Sequence, residues 1–232
     1  MRLRLTAHPV VGHGTLHRVL VPRFELRNLW VRSPAYGYGM LIGSRADLLR
    51  LGALARLAAI SPHSAVHVPL RHVPLDDAML RASFRDGPQC DLLFVRQETG
   101  MPASAWPEIR TGMRRRRSSA RPLTARLSDE WDDSVRREWH PRPRWSEHAD
   151  TMIFTGDAGG LHALARCVTE AGDLLADDRS IHRFGLSALL GLTGLFGGDD
   201  HEFDVYGRDP IFHKSRWARL RNAQECPSAS SS

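Results

Sequence analysis

A chain of 232 residues, 42% hydrophobic and 25% charged, is long enough to bury a core as one large domain or two small ones. No run approaches the roughly 18 apolar residues of a membrane span. The longest candidate, Leu186 to Gly198, is short and broken by glycines, and the N-terminus has no continuous apolar leader, so a soluble, cytoplasmic protein without a membrane partner is expected. Cys90, Cys167 and Cys226 are far apart, odd in number and free of any C-x-x-C pair, which fits a reduced compartment better than a disulfide framework.

Lys214 is the only lysine; the other basic residues are arginines. Arginine forks suit phosphate, but a GC-rich, actinobacterial-like genome produces the same bias. Location is more informative. Between Arg110 and Trp145 there are eleven arginines and five acids, and the rest of the chain is balanced.

Along the chain, Leu16 to Val21 and Phe24 to Val31 alternate imperfectly, as half-buried strands do. The run "YGYGMLI" (Tyr36 to Ile42) predicts a further strand. A helix follows, with Leu48, Leu51, Ala55 and Ala58 at helical spacing, Ser44 as N-cap and Asp47 in the capping-box position. Ala65 to Leu70 reads as a strand that Pro69 ends or places at an edge. Residues 75–84 predict a helix closed by Gly87, Cys90 to Val95 a buried strand, and Ser104 the cap of a short helix containing Trp106 and Ile109. The segment 113–150 is charged, interrupted by prolines and poor in aliphatic residues. It reads as a linker or insertion with one surface helix capped by Ser128.

Beyond it, Ile153-Phe154-Thr155-Gly156-Asp157 lies against Met40-Leu41-Ile42-Gly43-Ser44 when the two stretches are aligned on glycine. Leu161 then matches Leu48, Leu164 matches Leu51, and Ala165 matches Gly52. This points to two similar strand–turn–helix units. His201 to Gly207 predicts a strand, residues 214–223 a basic helix, and 223–232 a disordered tail. The expected fold is α+β, a mixed sheet with helices packed on it, with an α/β layered sandwich as the alternative. The units are 1–112, the insertion 113–150, and 151–222, or a single domain over 1–222.

Candidate chemistry is sparse. Gly37 and Gly39 precede the apolar run, so they cannot form a dinucleotide fingerprint; only Gly43 sits at a strand-to-helix turn, and no cofactor is expected. His63 and His67 have the i, i+4 spacing of a metal pair, but the Val/Pro pattern around them favours a strand. His201 and Asp204, in "GGDDHEFD", are a second possible ligand set, read equally well as an acidic loop. No nucleophile elbow or cysteine signature suggests catalysis. The run Arg114, Arg115, Arg116 and Arg117 attracts phosphate by counterion release. Trp131, Trp139 and Trp145 stand nearby in sequence for stacking. Lys214, Arg216 and Arg219 form a second basic site.

The unit made of a strand, Gly, Ser or Asp, then Leu-x-x-Leu resembles the opening of some small α+β immunity proteins of bacterial toxin systems. It also resembles many uncharacterised actinobacterial proteins. The resemblance implies a non-enzymatic protein that binds another protein. The expectation is therefore a macromolecule-binding or regulatory protein without catalysis, its partner another protein. The alternatives are nucleic-acid binding through the arginine run and C-terminal helix, or an enzyme with an unrecognised site.

Overall fold

The computed structural model describes residues 1–34, 38–74, 89–128, 143–177, 186–191 and 202–208. Its strands are β1 (Arg2–Pro9), β2 (Arg18–Pro22), β3 (Leu29–Arg32), β4 (Tyr38–Gly43), β5 (Ser64–Val68), β6 (Asp91–Arg96), β7 (Arg121–Arg126), β8 (Arg144–Glu147), β9 (Thr151–Gly156), β10 (Leu186–Gly191) and β11 (Glu202–Arg208). The helices are α1 (Arg45–Ile60), α2 (Trp106–Arg115) and α3 (Ala158–Asp177). A seven-stranded sheet runs in the order β7-β1-β2-β5-β6-β9-β8, and a four-stranded sheet in the order β10-β11-β4-β3. Both sheets are mixed, so the fold is α+β.

Helices α1 and α3 lie against each other between the sheets. Leu48, Leu51 and Leu54 of α1 and Leu161, Leu164 and Val168 of α3 share one core. It also holds Val66, Phe94 and Phe154 of the first sheet and Val31, Leu41 and Phe203 of the second. A helix covered on most sides needs apolar residues around most of its circumference, which "LLRLGALARLAA" supplies. Close approach is set by Gly52: a Cβ there would run into Thr169 and meet the Ala165 carbonyl oxygen at 2.9 Å.

The two strand–turn–helix units are equivalent in detail. Gly43 ends β4 and Gly156 ends β9, each immediately before a helix cap. Ser44 Oγ accepts a hydrogen bond from the Asp47 N–H, and Asp157 Oδ1 accepts one from the Gly160 N–H. A Cβ on Gly43 would meet Leu29 and Leu48; one on Gly156 would meet Pro143 and Leu161, the matching neighbours. The equivalence extends to both sides of each unit. β3-β4-α1-β5-β6 corresponds to β8-β9-α3-β10-β11, with β3 antiparallel to β4 and β8 to β9. The last two strands of each are exchanged. β6 pairs in parallel with β9, and β11 in parallel with β4, so each sheet takes strands from both units. Strands β7, β1 and β2 extend only the first sheet.

Several local expectations change. The capping box is half formed: Asp47 Oδ2 accepts from the Asn28 N–H instead of returning to Ser44, which ties the loop before β3 to the start of α1. Ser104 does not cap α2; Ala105 takes that position without a side-chain bond, and Pro107 occupies the first turn. The strand expected from Phe24 begins only at Leu29. Within 113–150, Arg121–Arg126 and Arg144–Glu147 are strands of the seven-stranded sheet. The helices expected over 75–84, 129–139 and 214–223 lie outside the described residues.

Candidate functional site

Helix α2 packs on the outer face of the seven-stranded sheet, the face turned away from α1 and α3. Trp106, Ile109 and Met113 of α2 are buried against Val19, Ala65, Leu93, Val95 and Ile153. Beside this apolar patch, strand alternation brings His8, His67 and Asp91 to the same face. Together with Arg71, Arg110, Arg114 and Arg117 they line a cavity of about 330 Å³.

Asp91 anchors its floor. Its Oδ1 accepts from the Leu70 and Arg71 backbone N–H groups at 2.8 and 3.0 Å, and its Oδ2 lies 3.3 Å from His67 Nε2. Burial alone would push the carboxyl up; the bonds from His67 and the two backbone donors more than offset this and hold it below its ordinary value. Arg71 reaches across to Asp150 at 3.0 Å, with its Nε 3.7 Å from Asp91. Arg110 donates to the Ala149 carbonyl at 2.7 Å. Burial, then the neighbouring Arg71 and Arg114 charges, lower the Arg110 pKa. Burial, then His67 and Arg117, lower that of His8. Three perturbed groups lining one cavity mark it as a functional candidate on physical grounds.

The tetra-arginine run does not act as one patch. It straddles the C-terminus of α2, where cations suit the helix dipole. Arg114 and Arg117 face this cavity, whereas Arg115 and Arg116 line a groove on the other side with Val10, His13 and Pro107. All four are exposed.

From His8 the outer face continues along β1. Leu3 and Leu5 turn inward, so Arg2, Arg4, Thr6 and His8 share the outer side. On β7, Arg126 and Thr124 are their direct partners, Arg2 opposite Arg126 and Arg4 opposite Thr124. Arg2, Arg4 and Arg126 are exposed. Like charges directly opposite each other cost about 0.2–1 kcal/mol, so the fold tolerates repulsion here. Residues 1–24 and 109–128 contain no Asp or Glu, and the β1–β7 pairing brings these two acid-free stretches together. That absence of acids was the available sequence signal for His8, Arg2, Arg4, Arg110 and Arg126; Arg71 and Asp91 had none, because loop and strand geometry alone gathers them.

The metal candidates separate. His63 sits before β5, its Nδ1 3.2 Å from the Thr15 carbonyl and its ring stacked on His17. His67 lies four residues further along an extended chain, roughly 13 Å away at strand spacing, and contacts Asp91 and Trp106 instead. The two cannot share an ion. Asp204 accepts a bond from the Tyr206 hydroxyl at 2.9 Å, and no group of three potential ligands occurs among the described residues. His201, Lys214, Arg216 and Arg219 lie outside them. Trp145 packs toward the inner core, away from the basic face; Trp131 and Trp139 are outside the described residues. The turn at Gly43 is filled by Ser44, Asp47 and Asn28, and Arg45 pairs with Asp173 at 3.2 Å, so no anion cradle forms there.

Cys90 and Cys167 are pushed up to about 12, mainly by burial, which keeps both thiols protonated and unreactive near neutral pH. No described helix is long and apolar enough to cross a membrane. No protein-family model matches this chain, and no curated protein or solved structure matches it significantly.

Proposed function

We propose that this is a macromolecule-binding protein whose partner is nucleic acid, held through its phosphates along the outer face of β7, β1 and β2 and the C-terminal end of α2. The observation that carries this reading is the row in which Arg2, Arg4 and Arg126, drawn from two stretches of sequence without acids, continue into His8, Arg117 and Arg114. A surface of that kind supports backbone contact. No aromatic ring on the described part of this face suits base stacking, so recognition without strong sequence preference follows. Between the protein partner and the nucleic-acid partner considered from the sequence, this face favours the second, because arginines spaced on alternate residues of a strand match a repeating phosphate backbone.

The test is binding of labelled single- and double-stranded oligonucleotides as a function of salt. Affinity should fall steeply, with a log–log slope that decreases by about 0.7–0.9 for each phosphate contact removed. Arg2→Ala combined with Arg126→Ala, and separately Arg114→Ala combined with Arg117→Ala, should each weaken binding by about tenfold or more at intermediate salt. Absence of binding at low salt, or affinity insensitive to both double variants, removes the reading.

A further inference from the structure

Resting on that nucleic-acid reading, we propose that the cavity bounded by β1, β5 and α2 is an end-recognition site that receives the terminal phosphate monoester of the bound strand. Its position is the first reason. The outer row Arg2, Arg4, Thr6, His8 leads into it, and beyond it Met113 and Trp106 of α2 cover the sheet, so a chain following the row meets a wall. About 330 Å³ admits a phosphate and part of its sugar, and not a duplex passing through.

Charge is the second reason. Arg71, Arg110, Arg114 and Arg117 stand around the cavity against the carboxylates of Asp91 and Asp150. The surplus of two positive charges matches a monoester dianion, whereas an internal phosphodiester carries one negative charge. Both carboxylates are engaged by Arg71, which leaves the surplus on Arg110, Arg114 and Arg117. The guanidinium groups of Arg114 and Arg117 make no hydrogen bond or ion pair with any described residue. His8 lines the same space and keeps a buried Nδ1 without a hydrogen-bond partner among the described residues. His67, fixed on Asp91 through Nε2, adds a second imidazole at the floor.

The experiment compares one short oligonucleotide ending in a 5′-phosphate, a 3′-phosphate or hydroxyls at both ends, by fluorescence anisotropy with the label internal. One phosphorylated form should bind about tenfold more tightly than the hydroxyl-ended strand, the effect of one added set of charge-assisted hydrogen bonds. Arg110→Gln and, as an exposed alternative that does not touch the Ala149 carbonyl, Arg117→Gln should each reduce that preference towards one. Binding of the hydroxyl-ended strand should fall less than that of the phosphorylated strand, because Arg2, Arg4 and Arg126 still hold it. Equal affinity for all three ends, or a preference that survives both variants, overturns the end site and leaves the surface reading standing. Failure of every strand to bind removes both.

Discussion

On the outer face of the first sheet, Leu93 and Val95 of β6 lie under α2, beside His67 and Asp91. The equivalent residues of β11 are Asp204 and Tyr206, which bond to each other next to Trp30, Met40 and Ile42. The inner faces do not diverge in this way: Leu92 and Phe94 correspond to Phe203 and Val205, all buried against the same helix pair. Two units built on one plan keep their shared interior because α1 and α3 must pack on both. Their outer sides are free of that constraint, and among the described residues the first carries α2, the buried Asp91 and a row of arginines, whereas the second carries the Asp204–Tyr206 pair.

The largest expected effect tests the outer side. Asp91→Ala leaves His67 and two backbone N–H groups without an acceptor and should cost about 3 kcal/mol in a urea titration. The pH dependence follows from the lowered carboxyl. Its stabilisation is present above the unfolded value near 3.8 and is lost as pH falls through the lower folded value. Wild type should therefore lose stability below about pH 4 more steeply than Asp91→Asn; parallel curves would remove the electrostatic role.

Next in size is the shared interior. Gly52→Ala should destabilise by about 2 kcal/mol, because the new methyl meets a helix carbonyl that cannot move aside. Gly172→Ala faces contacts of 3.2 Å or more, and the helix propensity of Ala offsets about 1 kcal/mol, so its net change should be smaller. Equal losses would show that the helix pair is more symmetric than its packing indicates. Ser44→Ala and Asp157→Ala should then cost about 1 kcal/mol each, as matched N-caps; a large difference between them would break the equivalence of the units. The smallest effect is a gain. Ala149 and Asp150 turn between β8 and β9 with φ of 53° and 57°, which costs an alanine about 1 kcal/mol. Ala149→Gly should raise the melting temperature by a few degrees at most, with no counterpart gain at half-buried Ala103, where φ is not positive.

The repeated unit was legible because it rests on local chemistry: a glycine where a strand meets a helix, a capping side chain, and leucines one turn apart. Gly43 and Gly156 carry that signal in their own neighbourhoods. The exchange of β6 and β11 was not legible, since pairing partners more than fifty residues apart leave no local mark. The strands at 121–126 and 144–147 were hidden by composition: "RPLTAR" and "RWSE" look like linker, and burial of one face against the sheet is what makes them strands. The arginine run was visible as charge, but its division between two sides of α2 depends on helix phase at the C-terminus. Asp91 read as the first residue of an apolar strand, and its role appears only when Leu70 and Arg71 fold back over it.

The strand exchange also bears on how the chain acquires its structure during synthesis. When residues 1–112 have emerged from the ribosome, β4 and β6 already exist as sequence, but the parallel neighbours of both are still to be made. Each sheet is left with an open hydrogen-bonding edge until β9 and then β11 arrive. Such distant pairings slow folding, and open edges invite association with other chains. The first half of the protein should therefore be most prone to associate with other chains before the last described strand is made.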